Sequence, residues 1–485
     1  MAYEHGITIL ENETSITPPV PTTSGVQVVI GTAPIHLLED PRSAVNTPIL
    51  ANTLTEVKQK IGYNHNFDYS LNEATYASFE FLRVAPVVYI NVLDPDVHKK
   101  SVPNTELPIE SGILVIKDEG VLLDSVVVRS IDATTIYEEN VDYTVAINSS
   151  GYPVISILSS GTIPVATTTL SVGYDKLDPS KVTEADIIGG YNAQTGKLTG
   201  AELIQQVFPM FGVTPGLILA PGWSKYPDVA SILVAKSTSI NGNFNCTAIL
   251  DIDTTVVKKY EDAPEWKTDN NYSSTRAIVC YPMVKVTSRI LSYSAVVAAQ
   301  IALLDAENDN VPYVSPSNKK ISIAATVLED GTEIYLDQTQ ANFLNGHGIL
   351  TAINWNGWRT WGNNTAAYPN TADPKDRFIA VRRVFDWWGN TFILTFFDQV
   401  DDPTNYRLIE SIVDSENLRA SGYQARGQIA GASIEFRQDL NPTENILNGK
   451  ITFIQKIGAF TPAESIVNIL EFDPTILTTA LTGGQ

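Results

Sequence analysis

Five runs of strand length consist almost entirely of apolar residues, and stretches with helical spacing separate most of them along the chain. The runs are GVQVVIG from residue 25, VVYINVL from 87, GLILAPG from 216, CTAILDID from 246 and RAIVCYP from 276. Strands that do not alternate apolar with polar residues are buried on both faces, which is typical of a parallel sheet covered by helices. The sequence therefore predicts an α/β core.

Residues 99–183 have a different texture, because short β-type runs follow one another there with almost no helical periodicity. GILVIKD, VLLDSVVVRS and GYPVISIL each contain a run of strand length, and NSSG and SSGTIP contain residues that favour turns. We expect an inserted all-β, sandwich-like domain. The chain as a whole is predicted to be a multidomain protein of mixed α/β and α+β class.

The charge balance bears on the kind of partner. The formal net charge is −22 and the sequence pI is about 4.6, whereas affinity for phosphates depends on clustered Lys and Arg. We therefore expect no nucleic-acid partner. Only 18% of residues are charged and 44% are hydrophobic, so the surface has room for large apolar interfaces.

Catalytic and metal chemistry have little support in the residue types. No histidine occurs from residue 99 to residue 346, so the central α/β region cannot assemble a Ser-His-Asp triad from its own residues. The five histidines lack HExxH spacing, and Cys246 and Cys280 form no CxxC pair. We expect no enzymatic activity, no cofactor and no bound metal.

Two acidic patterns leave a weaker alternative open. Asp94, Asp96 and His98 alternate in LDPDVHKK and have ligand-type side chains, but they stand at the junction with the β insert, where an exposed polar turn is the simpler interpretation. The adjacent pairs 329–330 and 401–402 have the residue types of a glycosidase. Capping and solvation explain both pairs better than hydrolysis does.

A tryptophan cluster lies in NWNGWRTWGNNT, residues 354–365, and supplies Trp355, Trp358 and Trp361. Such a cluster can be a sugar-stacking platform. At this density between short strands, tryptophans are more often core or interface anchors. We favour the interface interpretation.

The N-terminus combines an isolated strand pattern with a proline-rich leash. GITILE, residues 6–11, has no partner nearby in sequence, and the 13 residues of 12–24 include Pro18, Pro19 and Pro21. A lone strand is unstable in water. The extended leash spans roughly 40 Å, more than the radius of gyration of about 23 Å expected for a compact chain of this length. The strand can therefore reach another molecule.

The energetics of that strand are marginal. Ordering its backbone costs about 1–2 kcal/mol per residue, and each ladder hydrogen bond returns about 1 kcal/mol. Burial of Ile7, Ile9 and Leu10 must supply the difference, at about 1.5–3 kcal/mol per fully buried side chain. Such a contact is an example of β-strand addition, and repeated head to tail it generates an open helix.

Several stretches together resemble one family, the tail sheath proteins of contractile phage tails and related contractile injection particles. They are GVQVVIGTAP (25–34), PYVSPSNKKI (312–321), NGHGILTAINWNGWRTWGNNT (345–365), DRFIAVRRVFDWW (376–388) and NPTENILNGKITFIQKIGAFTPAESIVNILEFD (441–473). Their order and approximate spacing also agree with the family. The resemblance covers most of the chain outside the β insert.

The resemblance implies a structural protein that forms a helical sheath around an inner tube and contracts to drive the tube through a cell envelope. It implies a subtilisin-like α/β domain without protease chemistry, and extended terminal arms. The implied division is 1–24 as N-terminal arm and linker, 25–98 with 341–465 as inner, tube-proximal core, 99–183 as outer β domain, 184–340 as subtilisin-like domain and 466–485 as C-terminal arm.

The family also implies partners and a location. Arms of neighbouring copies add strands to another subunit's sheet, and the C-terminal strand residues here would be Ile466, Val467, Ile469, Leu470 and Phe472. The expected partners are other copies of the chain, the tail tube protein, and baseplate and tail terminator proteins, with no direct membrane insertion. The expected location is the virion tail, assembled in the host cytoplasm.

One helix is a candidate for the tube contact. Asp402 and Pro403 are suited to the N-cap and first position of a helix that reaches about residue 428. The candidate contact residues on it are Arg407, Glu410, Asp414, Arg419 and Arg426. The alternative is an ordinary amphipathic core helix with a solvated face.

Two other function classes remain open from the sequence. A carbohydrate-binding or carbohydrate-active protein would use the tryptophan cluster, and a surface-layer or other shell protein would share the capacity to polymerise. Hollow striated tubes in negative-stain micrographs favour the sheath, whereas monodisperse particles that bind or cleave a glycan favour the first alternative.

Deletion of residues 1–20 is predicted to leave a folded monomer that does not polymerise, because the strand that joins copies is removed while the core strands from residue 25 remain. Circular dichroism checks the fold and negative-stain microscopy checks the polymer. Normal sheaths from the shortened chain would contradict the prediction.

Overall fold

The computed structural model describes residues 20–21, 23–148, 150–194 and 196–481. The first stretch holds the elements β1 (Val20–Pro21), β2 (Gln27–Gly31), β3 (Pro48–Ala51), α1 (Leu54–Lys60), α2 (Leu71–Thr75), β4 (Val84–Ala85) and β5 (Val87–Asn91). The next stretch consists mainly of strands, with β6 (Lys99–Pro108), β7 (Ile113–Val115), β8 (Val127–Arg129), β9 (Tyr143–Ile147), β10 (Pro153–Ile157) and β11 (Thr169–Leu177).

Helices and strands alternate again after residue 183. The elements are α3 (Glu184–Ile188), β12 (Gly190–Asn192), β13 (Lys197–Thr199), α4 (Val207–Phe211), β14 (Leu217–Leu219), α5 (Pro227–Lys236), β15 (Thr247–Asp251), α6 (Ala263–Asp269), β16 (Ala277–Cys280), β17 (Met283–Val286), β18 (Arg289–Leu291), α7 (Tyr293–Glu307), β19 (Ala325–Val327), β20 (Glu333–Ile334) and α8 (Gln338–Asn345).

The last stretch begins with two strands and continues mainly as helices and one hairpin. Its elements are β21 (Ile349–Asn354), β22 (Trp358–Trp361), α9 (Pro374–Arg377), α10 (Ile379–Phe396), α11 (Tyr406–Ala425), β23 (Gly431–Phe436), α12 (Thr443–Leu447), β24 (Phe453–Gly458) and α13 (Pro474–Leu481).

An eight-stranded sheet forms the centre of the molecule, in the order β22-β21-β16-β15-β14-β2-β5-β3. The strands from β21 to β5 run parallel, and β22 and β3 are antiparallel to their neighbours. Every residue of β2, β5, β14, β15 and β16 is buried. The predicted buried parallel sheet is therefore confirmed.

This sheet joins segments that the sequence analysis assigned to different domains. β2, β3 and β5 come from residues 25–98, β14, β15 and β16 from 184–340, and β21 and β22 from 341–465. The expected boundaries between the inner core and the subtilisin-like domain thus pass through one continuous hydrogen-bonded sheet.

Two groups of helices cover the sheet. Helices α2 and α7 pack against each other and against the sheet strands, and α7 is buried along most of its length. Helices α3 and α5 pack with the helical turn Gly200–Gln206. A helix that is apolar all round belongs in the interior of a large protein, which accounts for the absence of a polar face on α7.

The β stretch forms two three-stranded antiparallel sheets, β7-β10-β9 and β6-β11-β8. Both sheets contribute side chains to one apolar cluster, which includes Leu114, Val128, Ile155 and Val172 and is separate from the main core. The stretch therefore has a hydrophobic core of its own.

Two predicted helix starts are wrong by several residues. The apolar run SRILSYSAVVAAQIALLDAEN predicts a helix from Ser288, whereas α7 begins only at Tyr293, because Arg289–Leu291 pair with β17 across a turn in which Thr287 has a φ of 56°. The N-cap of α11 is Asn405 rather than Asp402, since the Asn405 side chain accepts a hydrogen bond from the Leu408 N–H at 2.9 Å.

Residues 379–458 form a small unit of their own, here called the C-terminal unit, made of α10, α11, β23, α12 and β24. Trp388, Ala420 and Ile429 form its buried core, and Trp387 and Tyr423 pack on it. Helix α10 joins this unit to the sheet, because Asp386 accepts hydrogen bonds from Arg276 just before β16, at 2.9–3.2 Å. The unit therefore has one face on the central fold.

Two buried carboxylates connect the helices to the ends of the sheet strands. Asp251 ends β15 and accepts hydrogen bonds from the Ser224 and Ser294 side chains and from the Ser294 N–H. Glu73 of α2 accepts a 2.6 Å hydrogen bond from the Ser292 N–H. Burial raises the pKa of Asp251 and raises the pKa of Glu73 to about 7.

The free energy of unfolding of the Glu73→Gln variant, measured relative to that of the unchanged chain, is predicted to increase as the pH rises from 5 to 8. The raised pKa means that the folded state keeps a proton on Glu73 between about pH 4.5 and 7, where the unfolded state has lost it. Stability therefore falls across this window, by about 3 kcal/mol in total. Glutamine stays neutral and avoids that loss. Urea unfolding at several pH values measures the difference.

Glu56→Gln is the control. The Lys60 ammonium beside Glu56 lowers the pKa of that carboxyl below 4.5, so the stability of this variant relative to the unchanged chain should fall as the pH rises toward about 4.5 and stay constant from pH 5 to 8. A Glu73→Gln difference that stays constant with pH, or follows the Glu56→Gln direction, would contradict the prediction.

Candidate functional site

The C-terminal arm leaves the body as an extended chain without a strand partner among the described residues. Residues 459–473 are in neither helix nor strand. Ile466, Val467, Ile469, Leu470 and Phe472 are each 78–87% exposed, which is unusual for five large apolar side chains so close in sequence. The arm therefore presents apolar surface that the chain itself does not cover.

An ion pair connects the base of the arm to the body of the protein. Arg377, at the end of α9, donates a hydrogen bond to the Glu464 carboxylate and also contacts the ring of Tyr368. Beyond this point the arm side chains are exposed through α13, whose N-terminal Asp473 accepts from the Thr475 N–H at 2.8 Å. Ile7, Ile9 and Leu10 of the N-terminal arm lie outside the described residues.

The hairpin β23–β24 is a two-stranded sheet beside the base of the arm in sequence. Its β23 edge is occupied by α11, because the Asn417 amide donates to the Ile434 carbonyl at 3.3 Å and accepts from the Ile434 N–H at 3.0 Å. The backbone groups of Ile434 therefore point away from β24. An added strand cannot pair at that position without displacing Asn417.

The edge of β24 is open in the described part of the chain. Ile434 is opposite Gln455, so Gln455 and its alternate neighbours Phe453 and Ile457 direct their N–H and C=O groups outward. None of these groups has a backbone partner among the described residues. The corresponding β22 edge of the central sheet is closed, because Thr360 exchanges hydrogen bonds with Asn318 and Lys319. β24 is thus an uncovered edge next to an unpartnered arm.

The five charged residues predicted on α11 divide into two groups. Arg407, Glu410 and Asp414 are exposed and lie on one side of the helix at spacings of three and four residues. Arg419 points inward, where it donates to Glu416 at 2.8 Å and to Thr391 at 2.7 Å and lies 4.4 Å from the Trp388 ring centre. Arg419 is a core residue of the C-terminal unit.

Arg426 is exposed but engaged at the end of α11. Its guanidinium lies 4.6 Å from the Tyr423 ring centre and donates to the Gln428 side chain at 3.0 Å. Arg407, Glu410 and Asp414 therefore lie on the exposed face of α11, and the 76% exposed Leu418 continues it.

The three tryptophans of the cluster lie in different environments. Trp358 is buried and its Nε1 donates to the Ala324 carbonyl at 3.1 Å, whereas Trp361 is half-buried and donates to Asn342 at 2.9 Å. Trp355 is 61% exposed. Because Trp358 and Trp361 lie three apart in one strand, their side chains point to opposite faces. The three rings do not form a single platform.

The polar residues that suggested catalysis are engaged in structural contacts. The Asp94 N–H donates to His98 Nδ1 at 2.9 Å, and Asp96 pairs with Arg42 at 2.7 Å. Glu329 pairs with Lys225 at 2.7 Å, and Asp330 pairs with Lys258 at 3.2 Å. The exposed Asp401 and Asp402 precede α11.

Metal and membrane features give no further site. In the part of the chain that the structure describes, no three His, Cys, Asp or Glu side chains are arranged to hold a metal ion. Within the same residues, no helix combines the length and apolar character required to cross a bilayer.

The open edge of β24 and its one-sided blockage by Asn417 were not predicted. The strand itself was recognised in GKITFIQKIGAF, but single-sequence reasoning does not reveal which backbone edge a helix covers. An asparagine in the middle of a helix is a weak signal, because asparagine side chains often bond to nearby backbone groups.

The chain is similar to known proteins both in sequence and in fold. No family model matches the chain. The tail sheath protein of Burkholderia phage BcepMu is 30% identical over an alignment that covers 100% of this chain and 99% of that protein. The fold is also similar to two cryo-EM structures of the anti-feeding prophage (AFP).

One is the AFP baseplate, with a TM-score of 0.59, 14% identity and coverage of 98% of this chain and 100% of the matched chain. The other is the AFP helical sheath in its contracted state, with a TM-score of 0.56, 15% identity and coverage of 96% and 99%. At these identities the two likenesses concern the fold.

Proposed function

Because the chain belongs to the tail sheath proteins, we propose that it is the structural subunit of a contractile tail sheath, which polymerises helically around an inner tube and contracts to drive that tube through a cell envelope. The end-to-end similarity to the BcepMu tail sheath protein carries this proposal. The likeness to a contracted helical sheath supports it at the level of fold.

The proposed role is structural rather than enzymatic. The buried cluster around Asp251 is occupied by serine hydroxyls and backbone N–H groups, with no histidine among the contacts described for it. The proposed partners are other copies of the chain, the tail tube protein, and baseplate and tail terminator proteins, within a virion tail assembled in the host cytoplasm. Nucleic acid and direct membrane insertion are not part of the proposal.

We infer that copies are joined by strand addition to the open edge of β24. The arm residues 466–472 have the required properties, because they are extended, exposed and apolar. Alternate residues face the same side of a strand, so Ile466, Leu470 and Phe472 share one side and Val467 and Ile469 share the other. The N-terminal residues Ile7, Ile9 and Leu10 are proposed to act in the same way.

The proposed edge fits the energetics of a reversible assembly. Backbone pairing alone roughly balances its entropy cost, and each buried apolar side chain adds about 1.5–3 kcal/mol. One arm is therefore a weak link. Many arms in a lattice hold it firmly while single links remain able to adjust during contraction.

The tube contact is proposed to lie on the exposed face of α11. Arg407, Glu410 and Asp414 remain the candidates, because their side chains are exposed, whereas Arg419 is engaged inside the C-terminal unit. Arg426 remains a candidate at the end of the helix, although its stacking on Tyr423 limits its reach. Trp355 is the exposed tryptophan available for an interface.

Leu470→Asp is predicted to prevent tube formation, because it removes about 1.5–3 kcal/mol of apolar burial from every arm. Asn468→Asp adds the same charge two residues away and is the matched control. Negative-stain microscopy of the purified protein measures the polymer. Hollow striated tubes from the unchanged chain and from Asn468→Asp, but not from Leu470→Asp, are expected.

Two results would argue against this account. Tubes of normal appearance from Leu470→Asp would contradict the proposal that the C-terminal arm joins copies by strand addition. Monodisperse particles from the unchanged chain, with binding or cleavage of a glycan, would instead favour the carbohydrate alternative.

Arg407→Glu is predicted to weaken binding of purified tail tube protein by a few-fold at low salt, because an exposed ion pair contributes about 0.2–1 kcal/mol. The difference should shrink at high salt, where exposed charges are screened. Arg437→Glu is the matched control, since Arg437 is an exposed arginine paired with Asp439 outside α11. Equal binding by both variants would contradict a contact through this face.

A further inference from the structure

The last turn of α7 and the residues that follow it contact two distant parts of the chain. Asp305 is 2% exposed, and its carboxylate accepts a bidentate hydrogen bond from Arg383 of α10, with Nη1 to Oδ1 at 2.8 Å. Asp305 Oδ2, which accepts from Arg383 Nη2, also accepts a hydrogen bond from the Ser24 hydroxyl at 2.9 Å. One buried carboxylate thus holds both the end of the N-terminal leash and the helix that carries the C-terminal unit.

Neighbouring residues repeat this arrangement. Asn310 Oδ1 accepts from the Thr23 N–H at 2.8 Å, and Asp309 Oδ2 accepts from the Gln428 side chain at 3.1 Å. Asp309 and Asn310 have φ values of 57° and 59°, a left-handed conformation that asparagine and aspartate tolerate better than most residues. Residues 305–310, here called the α7 joint, therefore bind the leash and the C-terminal unit twice each.

The end of the leash is also fixed on its other sides. β1 pairs in parallel with β4, and the Ser24 carbonyl oxygen lies so close to Gly216 that a Cβ there would come within 2.0 Å of it. Only glycine permits that approach. The described residues 20–21, 23 and 24 are thus bound to the body.

We propose that Asp305 is a positioning residue for the helical assembly, which sets where the N-terminal leash leaves the subunit relative to the β24 edge of the same subunit. The proposal rests on the proposed sheath function. In a polymer joined by arms, each subunit gives a leash to one neighbour and receives a strand from another. The α7 joint connects these two links inside the subunit.

The geometric consequence follows from chain length. Release of residues 20–26 would lengthen the free leash by roughly 25 Å at 3.3–3.6 Å per residue. The spacing between linked copies would then be less strictly set. A buried, bidentate ion pair is well suited to resist that release, because it has few alternative geometries.

The test uses the double variant Ser24→Ala/Asn310→Gly, which removes both hydrogen bonds to the leash and leaves the Arg383–Asp305 pair intact. Glycine keeps the left-handed backbone at position 310. The control double variant is Ser43→Ala/Asn356→Gly, which removes the Ser43–Asp40 hydrogen bond and changes an asparagine whose φ is 51°. Ser24→Thr restores the hydroxyl and should rescue the Ser24→Ala change.

The readout is the axial repeat of assembled tubes in electron micrographs. The joint variant is expected to form tubes whose repeat varies at least twice as widely as in the control, and Ser24→Thr should restore the narrow distribution. An equally narrow distribution in the joint variant and the control would overturn the proposal.

If the chain is not a sheath subunit, the result is different, because the unchanged chain then forms no tubes. In that case amide hydrogen exchange of the monomer decides. The proposal expects several-fold faster exchange in residues 23–27 of the joint variant than in the control, with α10 unchanged because the Arg383–Asp305 pair is intact. Equal exchange of residues 23–27 in the joint variant and the control would overturn it.

Discussion

Burial of both faces of the central parallel sheet is the constraint on which the rest of the structure depends. Its inner strands have no polar face, so helices must cover both sides and the sheet edges must be closed elsewhere. Strands from three separated stretches of the chain meet in it. The β stretch and the C-terminal unit are attached outside this sheet, each with its own apolar cluster. The contacts proposed to join copies lie outside this sheet.

Much of this fold was predictable because apolar strand runs are a strong local signal. GVQVVIG, VVYINVL and CTAILDID all form buried parallel strands, and the β texture of residues 99–183 corresponds to two antiparallel sheets. The strand order was not predictable, since it depends on contacts between residues far apart in sequence. Helix starts failed where hairpin pairing or a nearby asparagine cap competed with an apparent signal, as at Arg289 and Asn405.

The candidate surfaces were predictable only in part. Composition indicated that the C-terminal arm is apolar, but its exposure depends on the absence of a partner within the described chain. The charges of α11 were visible in the sequence, whereas the inward direction of Arg419 depends on Glu416, Thr391 and Trp388. Buried polar groups such as these are specified by three-dimensional contacts. Residue type alone therefore does not distinguish a charged side chain that stabilises the interior from one that is free to contact a partner protein.

Asn417 leaves the β23–β24 hairpin with one edge, that of β24, at which another strand can pair. Because its amide occupies the backbone groups of Ile434, β23 cannot pair with a further strand at that position, and the proposed strand addition is confined to the β24 edge. If two arms from different copies use the same hairpin, the second must pair with the first arm rather than with the hairpin itself. A single amide would then impose an order on assembly, in which the inner strand is always docked before the outer one.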